Sequence, residues 1–297
     1  MSVSVVLERC GVLLEGPHWD DVDQCLYFID HISGVVHRWD PETQKHETRK
    51  IDENVGCVVT TKTPGVLLIT GKHRFLSLDW EGGVATPIGE VDQDRPENHF
   101  NDGKCDARGR FWAGTLGPLE TPTRVKPKQG SLYCLDVDRS VTKHIDGVDI
   151  SNGLCWSHDN KTMYYIDSLS HKVDAFDYCL DTGTPSNRRP AIEIPEEDGY
   201  PDGMTIDTEG MVWVACFDSS SINRYNPLTG EKLHTITFPC AYVTPCCFGG
   251  KNLDTLYVTT SKDGLSEQKQ QEQPLAGSLF KVTGLGFKGR PAYQYAG

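Results

Sequence analysis

The sequence lacks a long apolar run, a paired-cysteine motif and a helical period, and each absence removes a class of protein. Its longest apolar stretches, such as 65–70, are far too short to cross a bilayer. Residues 1–11 carry no positive segment leading into an apolar stretch, so they do not read as a secretory signal. The expected location is the cytoplasm, with the nucleus second, and no membrane partner is expected. No Cys-x-x-Cys pair occurs, which excludes a zinc knuckle or a thioredoxin-type motif. There is no His-x-x-x-His zinc pair and no Gly-x-Ser-x-Gly nucleophile elbow. No window carries a 3.6-residue apolar period over three turns, so helix is expected to be scarce.

Cysteine itself is plentiful, at 11 scattered residues. In a cytoplasmic protein these read as free thiols buried as small hydrophobes. The adjacent Cys246 and Cys247 would face opposite sides of a strand. The net charge is −13. An acidic surface repels phosphate backbones, which argues against a nucleic-acid partner. A monomer or weak dimer is expected.

What the chain does contain is repetition. Glu15-Gly16-Pro17-His18-Trp19 leads to an aromatic stretch at 26–29. Asp102-Gly103 leads to Phe111-Trp112, Asn152-Gly153 to 163–166, and Asp202-Gly203 to Val212-Trp213. Gly103, Gly153 and Gly203 are 50 residues apart, Gly16 and Gly56 sit near the same register, and a weaker copy begins at Cys246-Cys247. Six such units are the mark of an all-β, six-bladed β-propeller with four antiparallel strands per blade. Residues 1–297 are therefore expected to form one propeller domain. The apolar stretches 26–29 and 163–166 read as inner strands. Residues 3–7 are expected to close the ring beside strands near 279–283. Trp19, Trp112, Trp156 and Trp213 read as packing residues between blades, and His18 as structural.

Equivalent points of a propeller's blades face one end of a central channel. Three of those points carry oxygen donors, Glu15, Asn152 and Asp202, each followed by glycine, which would let the backbone bend tightly there. Any one Asn-Gly or Asp-Gly pair is an ordinary turn former. Three at equivalent positions point to one hard, oxygen-rich site for Ca²⁺, Mg²⁺ or Mn²⁺, with Zn²⁺ also compatible.

These residues resemble the regucalcin, gluconolactonase and luciferin-regenerating-enzyme family. The resemblance rests on Glu-Gly-Pro-His-Trp at 15–19, Phe-Asn-Asp-Gly-Lys at 100–104 and Asp-Ile-Ser-Asn-Gly-Leu at 149–154. It continues through Pro-Asp-Gly-Met at 201–204 and Cys-Cys-Phe-Gly-Gly-Lys-Asn at 246–252. It implies a six-bladed propeller and a metal-dependent lactonase acting on aldonolactones such as gluconolactone. Glu15, Asn152 and Asp202 would hold one divalent ion, most plausibly Ca²⁺. Asp202 would double as general base, and Asn101 would contact the substrate or a water on the metal. Vertebrate members carry Arg where this chain has His99, which reaches less far and holds little charge at neutral pH. Glu120 follows the Ala-Gly-Thr stretch, where the family has a substrate-facing Glu. His99, Asn101 and Glu120 are thus the expected substrate contacts. Two alternatives stand beside this reading: a related esterase or lactonase of luciferin-regenerating type, and a non-catalytic calcium-binding regulator.

Overall fold

A computed structural model describes residues 1–297. It contains six four-stranded antiparallel sheets arranged as the blades of a β-propeller. The first blade runs outward from the channel in chain order: Leu14–Asp20, Cys25–Asp30, Val35–Trp39 and His46–Lys50. The next four follow the same rule, with innermost strands Val58–Thr60, His99–Cys105, Ser151–Trp156 and Tyr200–Ile206. The sixth contributes Val243–Gly249, Thr255–Thr260 and Leu279–Thr283. Its outermost strand is the first of the chain, Ser2–Leu7, paired antiparallel with Leu279–Thr283. Both ends of the chain therefore close one blade, as the sequence predicts, and ring closure protects the innermost sheet edges.

The apolar core is not at the centre. It forms six main clusters, each wedged between one pair of adjacent blades, and a small seventh of Leu116, Val125 and Ile150. A blade's second strand is therefore covered on both faces, and Cys25–Asp30 and Val212–Phe217 are buried at every position. The outermost strands alternate toward solvent, as in His46–Lys50. This places 26–29 and 163–166 second from the channel, among the inner strands of their blades. Doubly covered strands read as continuous apolar runs. The innermost strands are instead rich in glycine and polar residues, because they line the channel.

Two aspartates repeat one structural role. The Asp207 carboxylate accepts hydrogen bonds from Glu209 N, Met211 N, Trp213 Nε1 at 2.9 Å and Arg224 Nε at 2.7 Å. Asp106 likewise accepts from Arg108 N, Arg110 N, Arg110 Nε and Trp112 Nε1. Both close the hairpin between a blade's first two strands and anchor its tryptophan. Trp112 and Trp213 are fully buried, and Trp19 and Trp156 nearly so.

All 11 cysteines are free, and eight are buried, with Cys179 exposed and Cys10 and Cys247 half-buried. No helix is long and apolar enough to cross a membrane. The one α-helix, Glu267–Glu272, has no buried residue and hence no apolar stripe. It is set by its Ser266 cap, whose hydroxyl accepts from Lys269 N.

Glycine lets the inner strands touch. A Cβ on Gly153 would lie 2.6 Å from Met204 N and 2.8 Å from Asp202 O, both backbone atoms of the next blade. One on Gly203 would meet the Pro245 ring at 2.4 Å, and one on Gly56 would meet Asn101 O at 2.6 Å. Among the glycines within the innermost strands, only Gly16, at φ 53°, has a left-handed backbone. The glycines after Asn152 and Asp202 thus serve close approach rather than the tight bend expected from the sequence. Gly153→Ala should cost about 1–3 kcal/mol by overpacking against rigid backbone. A thermal melt that matches wild type within error would refute that contact.

Candidate functional site

The site is built by interruptions of the strands. Five of the six innermost strands slip register against their second strand at one place. The slips fall between Glu15 and His18, Phe100 and Gly103, Ser151 and Leu154, Pro201 and Met204, and Val243 and Cys246. A bulge frees residues from the ladder and re-aims their side chains. The slips span Asn101, Asn152 and Asp202 and begin at Glu15. Those four residues line one cavity at one mouth of the channel, about 80 Å³ in volume. Tyr200, Phe217, Ser168 and Asp263 add to its wall.

The two amides are held with their oxygens free. Asn101 Nδ2 donates to Ser151 O of the next blade at 2.8 Å. Asn152 Nδ2 donates to Ser168 Oγ at 3.0 Å. Asn152 Oδ1 is buried and accepts from nothing. A buried acceptor without a partner costs about 1–3 kcal/mol, so its presence calls for a reason.

The carboxylates make the same demand. Glu15, Asp102 and Asp202 are all buried, at 7%, 7% and 5% exposure. Burial raises the pKa of Glu15 well above the usual range, and repulsion from Asp202 and Asp102 adds to it. Asp202 is raised by burial and then by Asp102. Asp102 is raised by burial and partly relieved by Lys104. Three buried acids face a single nearby cation, and the deficit is that of one divalent ion. No three His, Cys, Asp or Glu side chains converge closely enough to hold an ion alone. A fit therefore draws on the Asn152 amide oxygen together with Glu15 and Asp202, a hard oxygen set. Asp102 supplies charge from just behind.

The expected substrate residues divide. Asn101 lines the cavity. His99 does not; it is half-buried with its ring 5.2 Å from that of His31. Burial, His31 and Lys72 together push its pKa down to about 3, so it is uncharged at neutral pH. Glu120 lies on a small hairpin, Leu119–Thr121 with Arg124–Val125, that interrupts the third blade. Leu119, Pro122 and Thr123 of this hairpin line the cavity. Successive strand residues face opposite ways, and the Glu120 carboxylate sits 2.8 Å from Arg124 Nε with both side chains exposed. Asp102 was missed as a member of the site although the repeat had flagged it, because Asp102-Gly103 aligns with Asn152-Gly153 and Asp202-Gly203. His18 is buried, with Nε2 3.0 Å from Thr60 Oγ1, and links the first two blades.

The raised carboxyl values have a consequence for stability. The folded chain keeps protons on Glu15 and Asp202 at a pH where the unfolded chain has released them. Their favourable contribution is complete below about pH 4 and is lost as pH climbs through the raised values. In the presence of a chelator, the melting temperature should therefore fall as pH rises from 5 to 9. Asp202→Asn should flatten part of that fall. Parallel pH profiles for the two proteins would show that these acids do not repel one another in the fold.

Three comparisons bear on this site. Residues 13–262 match the family model described as SMP-30/Gluconolactonase/LRE-like region. Regucalcin of Xenopus laevis is 45% identical over 297 residues, covering 100% of this chain and 99% of that protein. Human regucalcin is 45% identical over 289 residues, covering 97% and 95%. The solved structure of a luciferin-regenerating enzyme superposes with a TM-score of 0.93 at 35% identity, covering 99% of each chain. The match spans the four bulged strands that carry Glu15, Asn101, Asn152 and Asp202, and the chain belongs to the SMP-30/gluconolactonase/LRE-like family.

Proposed function

We propose that this protein is a divalent-metal-dependent lactonase that opens aldonolactones such as gluconolactone to the sugar acid. The observation that carries the reading is the unpartnered, buried Asn152 Oδ1 in a cavity shared with Glu15 and Asp202. Glu15, Asn152 and Asp202 would hold the ion. When bound, it would polarise the lactone carbonyl and lower the pKa of water. Ca²⁺ suits the oxygen set best, and Mg²⁺, Mn²⁺ or Zn²⁺ remain compatible.

The residues of the chain do the rest. With the charge of the pocket neutralised, Asp202 is ionised and accepts a proton from the attacking water. The water oxygen bonds to the carbonyl carbon, the ring C–O bond breaks, and the released ring oxygen takes up a proton. Asn101 Oδ1, whose amide is fixed by its Nδ2 bond to Ser151 O, would accept from a sugar hydroxyl. Tyr200, Phe217 and the Leu119–Thr121 hairpin wall the cavity and limit the entry of water.

One observation favours a different ester or lactone as substrate. The uncharged His99, packed on His31, cannot grip a sugar in the bidentate way of an arginine. The likeness to a luciferin-regenerating enzyme supports the same variant of the reading.

The decisive measurement is hydrolysis of D-glucono-δ-lactone by chelator-stripped protein, with Ca²⁺, Mg²⁺, Mn²⁺ and Zn²⁺ restored in turn. Metal should restore turnover, and folded Asp202→Ala should lose at least about 100-fold, in line with losing a general base. Asn101→Ala should raise KM more than it lowers kcat. Binding of a metal without turnover on a panel of lactones and esters would instead establish a calcium-binding regulator.

A further inference from the structure

The channel has a second cavity at its other end. All innermost strands start at the mouth that holds Glu15, Asn101, Asn152 and Asp202. Three residues further along each lies His18, Lys104, Cys155 or Thr205, and all four line the second cavity. Its volume is about 100 Å³, below the roughly 300–1,000 Å³ of drug-sized sites, which limits it to a small ligand.

This mouth is covered by the last segment of the chain, which is tied down on either side. Lys288 O accepts from Thr208 N at 2.8 Å, and Gly289 N donates to Leu253 O at 2.8 Å. Beyond the mouth, Tyr295 N donates to Thr60 O at 2.9 Å and Ala296 N to Gly109 O at 3.0 Å. Residues 290–294 between these anchors make no backbone hydrogen bond. Their one polar side-chain tie is Arg290 Nη1 to His158 Nδ1 at 2.6 Å. The strap can therefore shift without unfolding a blade.

The lining has one sign of charge. Trp19, Trp156, Phe248 and Tyr293 supply aromatic surface, and Lys104 and Arg290 supply two cations, while no Asp or Glu lines it. That is the reverse of the chain as a whole, at −13. Lys104 spends one donor on Met204 O, at 2.6 Å across the channel, and keeps the others. Trp19 Nε1 and Trp156 Nε1 are buried donors with no partner. The cavity thus offers ring surface and two cations, and no carboxylate to oppose a negative group.

We propose that this strap-covered cavity is a second binding site, separate from the carboxylate-lined mouth, that takes a small aromatic carboxylate. The ring stacks among the tryptophans and Phe248, and the carboxylate meets Lys104 and Arg290. The site stands independently of the lactonase reading.

Phenylacetate and its neutral counterpart benzyl alcohol are the probes, titrated into full-length protein by calorimetry with tryptophan fluorescence in parallel. Phenylacetate should bind saturably, one per chain, at least tenfold tighter than benzyl alcohol, and should quench fluorescence. Arg290→Gln, an exposed change, should weaken it several-fold, and Lys104→Met at least tenfold. Asp202→Ala should leave it unchanged. Equal affinity for the two probes, or no saturable binding, would overturn the proposal. So would binding that Asp202→Ala abolishes and Arg290→Gln spares, because that places the ligand at the opposite mouth. Should Lys104→Met fail to fold, the Arg290→Gln comparison decides alone.

Discussion

Everything in this molecule depends on how closely six backbones can approach one axis. The innermost strands approach one another closely, and Gly56, Gly153 and Gly203 mark contacts where a methyl group would collide with the neighbouring blade. Cross-links reinforce the ring: His18 to Thr60, Asn101 to Ser151 O, and Thr244 Oγ1 to Leu14 O at 2.6 Å. Because the centre is this narrow, apolar bulk is displaced outward into the six clusters between blades. The axis is left to polar groups whose needs the backbone cannot meet.

The site follows from that displacement. In a regular ladder Asn101, Asn152 and Asp202 would each point to a face of its own blade. The bulge at each inner strand turns them toward the same mouth instead, where they converge from three blades, with Glu15 from a fourth. Convergence of acids in a dry place is unfavourable: burial raises the carboxyl pKa values of Glu15, Asp102 and Asp202, and repulsion between the acids adds to the rise at Glu15 and Asp202. The fold tolerates it because the six wedges and the closed ring hold the strands irrespective of what they present. A divalent cation would convert the repulsion into attraction. Lys104 divides the channel: it eases Asp102 on one side and contributes positive charge to the cavity on the other.

Some of this was legible in the residues. The recurrence of Asp-Gly and Asn-Gly every 50 positions gave blade number and the mouth, because equivalent points of a ring must face one axis. The pairing of residues 3–7 with the last strand follows from the same closure. The order of strands within a blade was not legible. Apolar content ranks strands by how many faces are covered, and the strand with both faces covered is the second, not the first. The hairpin carrying Glu120 and the helix Glu267–Glu272 were invisible, since both are exposed and bury no periodic stripe.

The sequence by itself determined the architecture and the chemical type of the site, since both depend on local spacing repeated six times. The tertiary structure alone decided three things. It turned Glu120 toward Arg124 and packed His99 on His31, because side-chain direction depends on contacts from other elements. It brought Asp102 in behind Glu15 and Asp202, because charge acts through space and not along the chain. It closed the far mouth with residues 288–296, whose anchors on Thr60, Gly109, Thr208 and Leu253 are scattered along the sequence and adjacent only once the ring has formed.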